Sequence, residues 1–428
     1  MSATPSTAST EATGTEHSLI ERGPGFRSGL RDRRRNLTVA TVGTAIVAAV
    51  FGCTGPALII IDGANAAGLS ATQTVSWIFA VYVFGGLNSV LLALYYKQPI
   101  VGAWSIPGAV LVADALGSFS LSEMAGAYLV SSALVVLLAL TGVLRRVMNW
   151  LPFPIIMAMI AGALIKFAID VVKAGSATPW IVAASVAGYL FFSRFIKRIP
   201  GVVGALVVGG IAAWMSGSIT GTEHDVTLTA PALVMPSFDL GAILAVSVPL
   251  AVLVIGAENA QAIGTLMAAS FRPPTNVMTL LSGLSGAAAA GFGGHTANIA
   301  GPMTAICSSR EAGPESGRYA ASVVNGLLFM AFGVFAGVAV AVVTALPSEL
   351  VSTVAGLAMI TVLLSAFQGA FRENQFQIGA FFALVIAMSG VTIFGVSSPF
   401  WALIGGLAVS LLLESHHFSR REETQGAA

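Results

Sequence analysis

Charge is scarce in this chain. Of its 428 residues, 9% are Asp, Glu, Lys or Arg and 56% are hydrophobic, whereas a soluble protein carries roughly 25% charged residues. That balance excludes an ordinary soluble domain. Cysteine is nearly missing: Cys53 and Cys307 both lie in apolar segments and read as packing thiols with no redox message. The ten-residue alternation of outer-membrane barrels is absent. So are the HExxH, GxSxG, CxxC and P-loop patterns and any pair at metal-ligand spacing, which argues against a membrane-embedded enzyme or a pump with its own ATPase. Residues 1–20 are rich in Ser, Thr and Ala and lack the basic-then-apolar order of a signal peptide.

What the chain has instead is a series of apolar runs from Asn36 to Glu414, most near the roughly 20 residues that a bilayer span needs. The expected class is an all-α polytopic membrane protein. Spans are expected at 37–61, 73–94, 98–116, 123–144, 152–170, 178–193 and 200–217, then at 240–268, 274–290, 291–308, 318–345, 350–371, 375–394 and 397–413. Residues 1–36 are expected as a disordered cytoplasmic tail, 218–239 as an extracytoplasmic loop and 414–428 as a cytoplasmic tail. With the N-terminus inside and the side alternating at each span, every Lys and Arg except Lys166 and Lys173 falls on the cytoplasmic side, as the positive-inside rule requires. Fourteen spans satisfy that rule, with both termini in the cytoplasm of an inner membrane.

Seven is odd, so the second set of seven would run opposite to the first. The third member of each set is anomalous. One reads QPIVGAWSIPGAVLVAD and the other GFGGHTANIAGPMTAI, with Pro107 and Pro302 lying 195 residues apart. Proline is at home in the first turn of a helix, so each segment reads as extended chain followed by a half-helix. This is the pattern of an inverted repeat (37–217 and 240–413) with a binding site near the midplane. Two half-helix N-termini meeting there, each carrying roughly +0.5 charge and free N–H groups, form a site for an anion or an electronegative edge. A pair of proline kinks without a ligand is the alternative.

Glu258 stands apart from the other acids. It lies in VLVIGAENAQAIGTLMAAS, 19 residues from Asp239 and 14 from Arg272, roughly 20 Å or more from either of those flanking charges, where an acid costs about 2.5 kcal/mol or more. Gln261 shares its face. Burial favours the neutral acid and facing half-helix ends favour the carboxylate, so this group would change protonation as an anion arrives or leaves. A carboxyl that only ties helices together is the structural alternative. His295 sits in the second lead-in, where it either joins the site or holds broken backbone. Thr296 and Asn298 divide the same way, and Trp104 and Ser105 occupy the matching lead-in, Trp104 stacking on a ring or filling core.

SWIFAVYVFGG, PIVGAWSIPGAVLVADAL, AENAQAIGTLMAASFRPPTN, FGGHTANIAGPMTAICSS and GRYAASVVNG resemble the benzoate/proton symporter family (BenE-type benzoate membrane transporters) over most of 37–413. The resemblance implies the seven-plus-seven fold shared with nucleobase and sulfate-type carriers, with a core domain of spans 1–4 and 8–11 sliding in elevator fashion against a gate of spans 5–7 and 12–14. It implies proton-coupled import of benzoate or a similar aromatic carboxylate, driven by the proton gradient with no cofactor and no nucleic-acid partner, in a fold often found as a homodimer. Glu258 would carry the proton with His295 beside it. Trp104, Ser105, Gln261, His295, Thr296 and Asn298 would shape the pocket, and the backbone N–H groups near Gly108 and from Gly301 to Met303 would hold the carboxylate. Two departures keep rivals open: Ala257-Glu258-Asn259 replaces a Ser-Gln-Asn-like triplet, and Ile106 replaces a usual threonine. Glu258 is similar to the glutamate with which nucleobase transporters hold the base. A nucleobase carrier, or an uncoupled anion exchanger or channel, would share the fold.

Overall fold

A computed structural model describes residues 20–53, 55–141, 152–196, 201–219, 230–391, 393 and 398–418. Among the described residues, six helical stretches of 20 to 28 residues are apolar and long enough for a hydrocarbon layer about 30 Å thick at about 1.5 Å per residue. Four of them are α4 (Ala71–Tyr96), α6 (Leu121–Thr141), α7 (Phe153–Ala177) and α10 (Leu240–Met267), and the other two are Val39–Ala66 and Glu315–Val334. Between the first of these and the chain start lie α1 (Phe26–Asn36), α2 (Val39–Cys53) and α3 (Gly55–Ala66). The others are α5 (Ile106–Ala115), α8 (Pro179–Phe195), α9 (Gly201–Met215), α11 (Thr275–Ala290), α12 (Gly301–Ser308), α13 (Tyr319–Val334), α14 (Ala336–Thr344), α15 (Ser348–Phe371), α16 (Gln377–Ser389) and α17 (Ser398–Leu413). Two short strands, β1 (Gly102–Ala103) and β2 (Asn298–Ile299), precede α5 and α12.

Two packing groups emerge. In one, α4 lies on α13, α6 on α11 and α2 on α13; in the other, α7 lies on α15 and α16, α8 on α9 and α16 on α17. The groups meet along α3 against α15 and α5 against α7. The glycine pair of the VFGG motif explains the tight first group. A Cβ on Gly85 would sit 2.4 Å from the carbonyl oxygen of Ala103, and one on Gly86 would sit 2.5 Å from that of Gly326. These two absences of a side chain let α4 receive β1 on one side and α13 on the other. Aromatic anchors Trp77, Tyr82 and Phe329 are fully buried beside them, whereas Trp180 of α8 is 83% exposed on the outer surface.

Several expectations need correction. Residues 20–36 do not belong to a disordered tail: Glu21 caps α11 by accepting from the N–H groups of Asn276 (2.9 Å) and Val277 (3.1 Å), and α1 packs its Gly29 on the end of α4. Residues 1–19 lie outside the described residues. The span expected at 318–345 breaks at Phe335 into α13 and α14, next to Gly333, which is pressed against Tyr82 and Val83 of α4. The span expected at 37–61 ends too early: α3 runs from Gly55 to Ala66, which leaves Asp62 inside that helix rather than just past the expected span end. Lys166 and Lys173, the two exceptions to the charge rule, each meet an acid: Lys166 pairs with Asp114, and Lys173 with Asp170 at 3.1 Å.

Candidate functional site

The two proline segments fold as extended lead-in followed by a short helix. Pro107 and Pro302 each stand in the first turn, where a missing N–H costs nothing. Helices α5 and α12 have 10 and 8 residues, about 15 Å and 12 Å, so neither crosses a bilayer. Their lead-ins pair antiparallel, Gly102 opposite Ile299 and Ala103 opposite Asn298, and the Ala300 N–H donates to the Val101 carbonyl at 2.9 Å.

Backbone at this depth must find partners inside the protein, since each unpaired group costs several kcal/mol. Side chains from neighbouring helices supply them. The Ser89 hydroxyl accepts from Gly102 N–H at 2.7 Å and Thr304 Oγ1 accepts from Val101 N–H at 3.2 Å. Asn88 Nδ2 donates to the Ala297 carbonyl at 3.1 Å, while Asn88 Oδ1 accepts from Ser285. Thr296 Oγ1 accepts from Ser105 N–H at 3.0 Å, which gives Thr296 a backbone-satisfying position. Asn259 Oδ1 accepts from Ile299 N–H and from Ser282, each at 3.3 Å.

Glu258 lies where both half-helices begin. Its buried carboxyl faces the backbone N–H groups of Gly301 and Ile106 and the hydroxyl of Ser105. No Lys or Arg side chain is among these partners, so the positive field is that of backbone dipoles. The helix under it is not regular. Leu253–Asn259 is wound as a π-helical stretch, a form found often at functional sites, and it turns the consecutive residues Glu258 and Asn259 both toward the crossing. A second π stretch, Ile243–Ser247, precedes Pro249, whose ring cannot bond the Ala245 carbonyl.

The N-termini of α5 and α12 differ. Ser105 caps α5, its Oγ accepting from Gly108 N–H at 3.1 Å. At α12 the cap position is Ala300, with no side-chain bond. The Gly108 amide is therefore taken, and the equivalent Met303 amide is uncapped. Gln261 closes over this end: a Cβ on Gly301 would meet Gln261 Oε1 at 2.4 Å, and Gln261 is itself exposed. Glu258, Gln261, Gly301 and the Met303 amide thus share one place. The Met303 side chain points elsewhere, toward Gly52. Asn298 donates to the Ile299 carbonyl at 3.0 Å and leaves a buried, unpartnered Oδ1.

His295 is held at both nitrogens. Trp77 Nε1–H donates to Nδ1 at 2.9 Å, and Nε2 lies 2.9 Å from the Ser105 carbonyl. An indole N–H only donates and a carbonyl only accepts, so the ring is the neutral Nε2–H tautomer, tying α4 and the α12 lead-in to the cap of α5. Trp104, buried, stands edge-on to His295 and to Tyr82, each with centroids 5.8 Å apart. Trp77, Asn88, Ser89, Ser282 and Ser285 were not singled out in the sequence. The signal for one was there: an asparagine in the apolar run GGLNSVLLAL is as exceptional as Glu258.

The fold is shared with solved membrane transport proteins. It matches the transmembrane domain of a cyanobacterial bicarbonate transporter, BicA, with TM-score 0.61 at 15% identity, covering 87% of this chain and 98% of that one. It also matches SLC26A9 with TM-score 0.57 at 14% identity, covering 86% of this chain and 64% of that one. The chain belongs to the BenE (benzoate membrane transport protein) family, whose model matches residues 35–412. Among curated relatives, it is 28% identical over 387 residues to the benzoate membrane transport protein of Acinetobacter baylyi, covering 90% of this chain and 98% of that protein. It is 28% identical over 367 residues to the inner membrane protein YdcO of Escherichia coli, covering 86% and 94%.

Proposed function

We propose that this protein imports benzoate or a similar aromatic carboxylate together with a proton across the inner membrane. The observation that carries the reading is the meeting of the Glu258 carboxyl with the uncapped N-terminus of α12. The substrate carboxylate would take the Gly301 and Met303 amides, and Gln261 and Trp104 would bound the ring. Two anions about 4 Å apart repel by about 4 kcal/mol at an effective dielectric near 20. Substrate arrival at the end of α12 would therefore draw a proton onto Glu258, and substrate release would let it leave. That is coupling by competition for one positive end. His295, with both nitrogens engaged, would hold the crossing rigid beside this exchange.

The architecture that suits this chemistry is the fourteen-span inverted repeat with both termini in the cytoplasm. The group of α2–α6 and α10–α14 would move as a core against the group of α7–α9 and α15–α17. The division of packing between those groups supports that reading.

The test is uptake of radiolabelled benzoate into proteoliposomes under an inward proton gradient, competed by salicylate, uracil and xanthine. Gradient-dependent uptake blocked by salicylate alone is the expected result. Nucleobase binding without benzoate uptake would move Glu258 and Gln261 to the reading of a base edge. Uptake indifferent to the gradient would leave an exchanger or channel.

A further inference from the structure

The basic run before the first span has no part in the site. It forms α1, FRSGLRDRRRN, and its two faces differ. The inward face is fixed to the helices around the crossing. Tyr319 Oη–H donates to the Gly29 carbonyl at 2.9 Å, Gly25 N–H donates to the Tyr95 carbonyl at 3.0 Å, and Lys97 pairs with Asp32 at 2.7 Å. The acids of this region are engaged by the protein itself: Asp32 on Lys97 at 2.7 Å and on the exposed Arg31 at a longer 3.4 Å, and Glu21 on the amides that begin α11.

The outward face has the arginines. At about 100° per residue, Arg27, Arg31, Arg34 and Arg35 fall on the side opposite Gly29, and all four are exposed. Phe26 and Leu30 flank them and are also exposed, at 43% and 48%. Past the helix, Leu37 and Val39 stand out at the start of α2. Arg33, turned partly inward, has a buried Nε–H without an acceptor, an arrangement that a bound anion would complete. A helix with one protein-bound face, one apolar edge and one basic edge, ending at the mouth of a span, has the character of an interfacial helix.

We propose that α1 is a docking surface for anionic phospholipid headgroups of the leaflet it faces. The arginines would take the phosphates, and Phe26, Leu30 and Leu37 would enter the acyl boundary. Each basic residue near such a surface contributes about 1 kcal/mol, which converts to about a fivefold change in binding. Because α1 and the residues just before it are bonded to α4, α11 and α13, the lipid would anchor the helices that carry the broken segments. This anchoring does not depend on which solute is carried.

The test uses the full-length, detergent-purified protein. Native mass spectrometry would follow titration with phosphatidylglycerol, with phosphatidylcholine of the same chains, and with glycerol phosphate. The wild type should bind phosphatidylglycerol well above the other two. R27Q/R31Q/R34Q/R35Q should lose that preference by more than tenfold, and the matching quadruple lysine variant should keep it. If the quadruple glutamine variant aggregates on gel filtration, R34Q/R35Q carries the same comparison with a smaller drop. An undiminished preference in a folded glutamine variant would overturn the proposal, as would equal binding of phosphatidylcholine. Glycerol phosphate binding as tightly as the lipid would also overturn it, since the surface would then read a free phosphate.

Discussion

The two half-helices start alike and end their likeness at the cap. Both follow an extended lead-in, both hold proline in the first turn, and both present an amide to Glu258. Yet α5 closes its third amide with Ser105, and α12 leaves its own open beneath an exposed Gln261. A near-symmetric frame thereby acquires one occupied pole and one vacant one. The lesson is that symmetry of the backbone does not make two equivalent ends; one serine against one alanine decides which half-helix keeps its third N–H uncapped by a side chain.

The largest effect should come from removing what both helices share. Glu258→Gln should reduce gradient-driven accumulation to that of empty liposomes while leaving exchange of preloaded substrate partly intact. Trp77→Phe should act on the frame. It leaves His295 Nδ1 without its donor, which costs about 1–3 kcal/mol and should lower the thermal midpoint by several degrees. The pH profile of uptake should keep its shape, and a profile like that of Glu258→Gln would place His295 in the coupling.

The glycines sharpen the comparison further. Gly301→Ala would collide with the exposed, movable Gln261, so the protein should fold and its KM should rise about tenfold, near 1.4 kcal/mol. Gly108→Ala would meet Leu250 Cδ1 at 2.9 Å and Ser105 Oγ at 3.0 Å, so it should lower thermal stability more than affinity. Equal KM values in the two variants would erase the asymmetry. Ser105→Ala uncaps α5 and should cost about 1 kcal/mol of stability; it makes the two poles alike and should weaken the preference for α12.

Asp32 supplies the smallest effect and a control. Lys97, hydrogen-bonded to it, holds its carboxyl below the usual carboxylate range. A carboxyl so lowered stabilises the fold above the ordinary carboxylate pKa, and that contribution is lost as pH falls through the lowered value. Asp32→Asn should flatten a slight acid dependence of the thermal midpoint below about pH 4 and leave gradient-driven uptake unchanged. This half-buried surface acid should thus behave unlike Glu258.

Much of the site was legible because it breaks rules of the bilayer. Pro107 and Pro302 sit where a continuous helix would fail, and Glu258 lies in a run that should hold no acid; both announce themselves against an apolar background. The partners that complete the site did not. His295 meets Trp77 and Ser105 across 218 and 190 residues, and Asn259 reaches Ile299 across 40; no local periodicity encodes such pairings. The π stretch under Glu258 was equally hidden, because a one-residue widening of a turn leaves apolar composition untouched. The order of residues 20–36 escaped notice for a related reason: it rests on Glu21 capping a helix 255 residues away, while its own composition is that of a solvated basic segment.

The most direct measurement places the substrate carboxyl itself. Reconstituted protein labelled with ¹⁵N-methionine, loaded with carboxyl-¹³C benzoate, would be examined by solid-state dipolar recoupling, with the conservative Met303→Leu variant as the assignment control. The account predicts that the carboxyl carbon is dephased by a methionine amide and that the effect disappears in Met303→Leu. No dephasing from methionine, with ¹⁵N-glycine dephasing that vanishes in Gly108→Ala, would put the anion at α5 and contradict the asymmetry between the two half-helices.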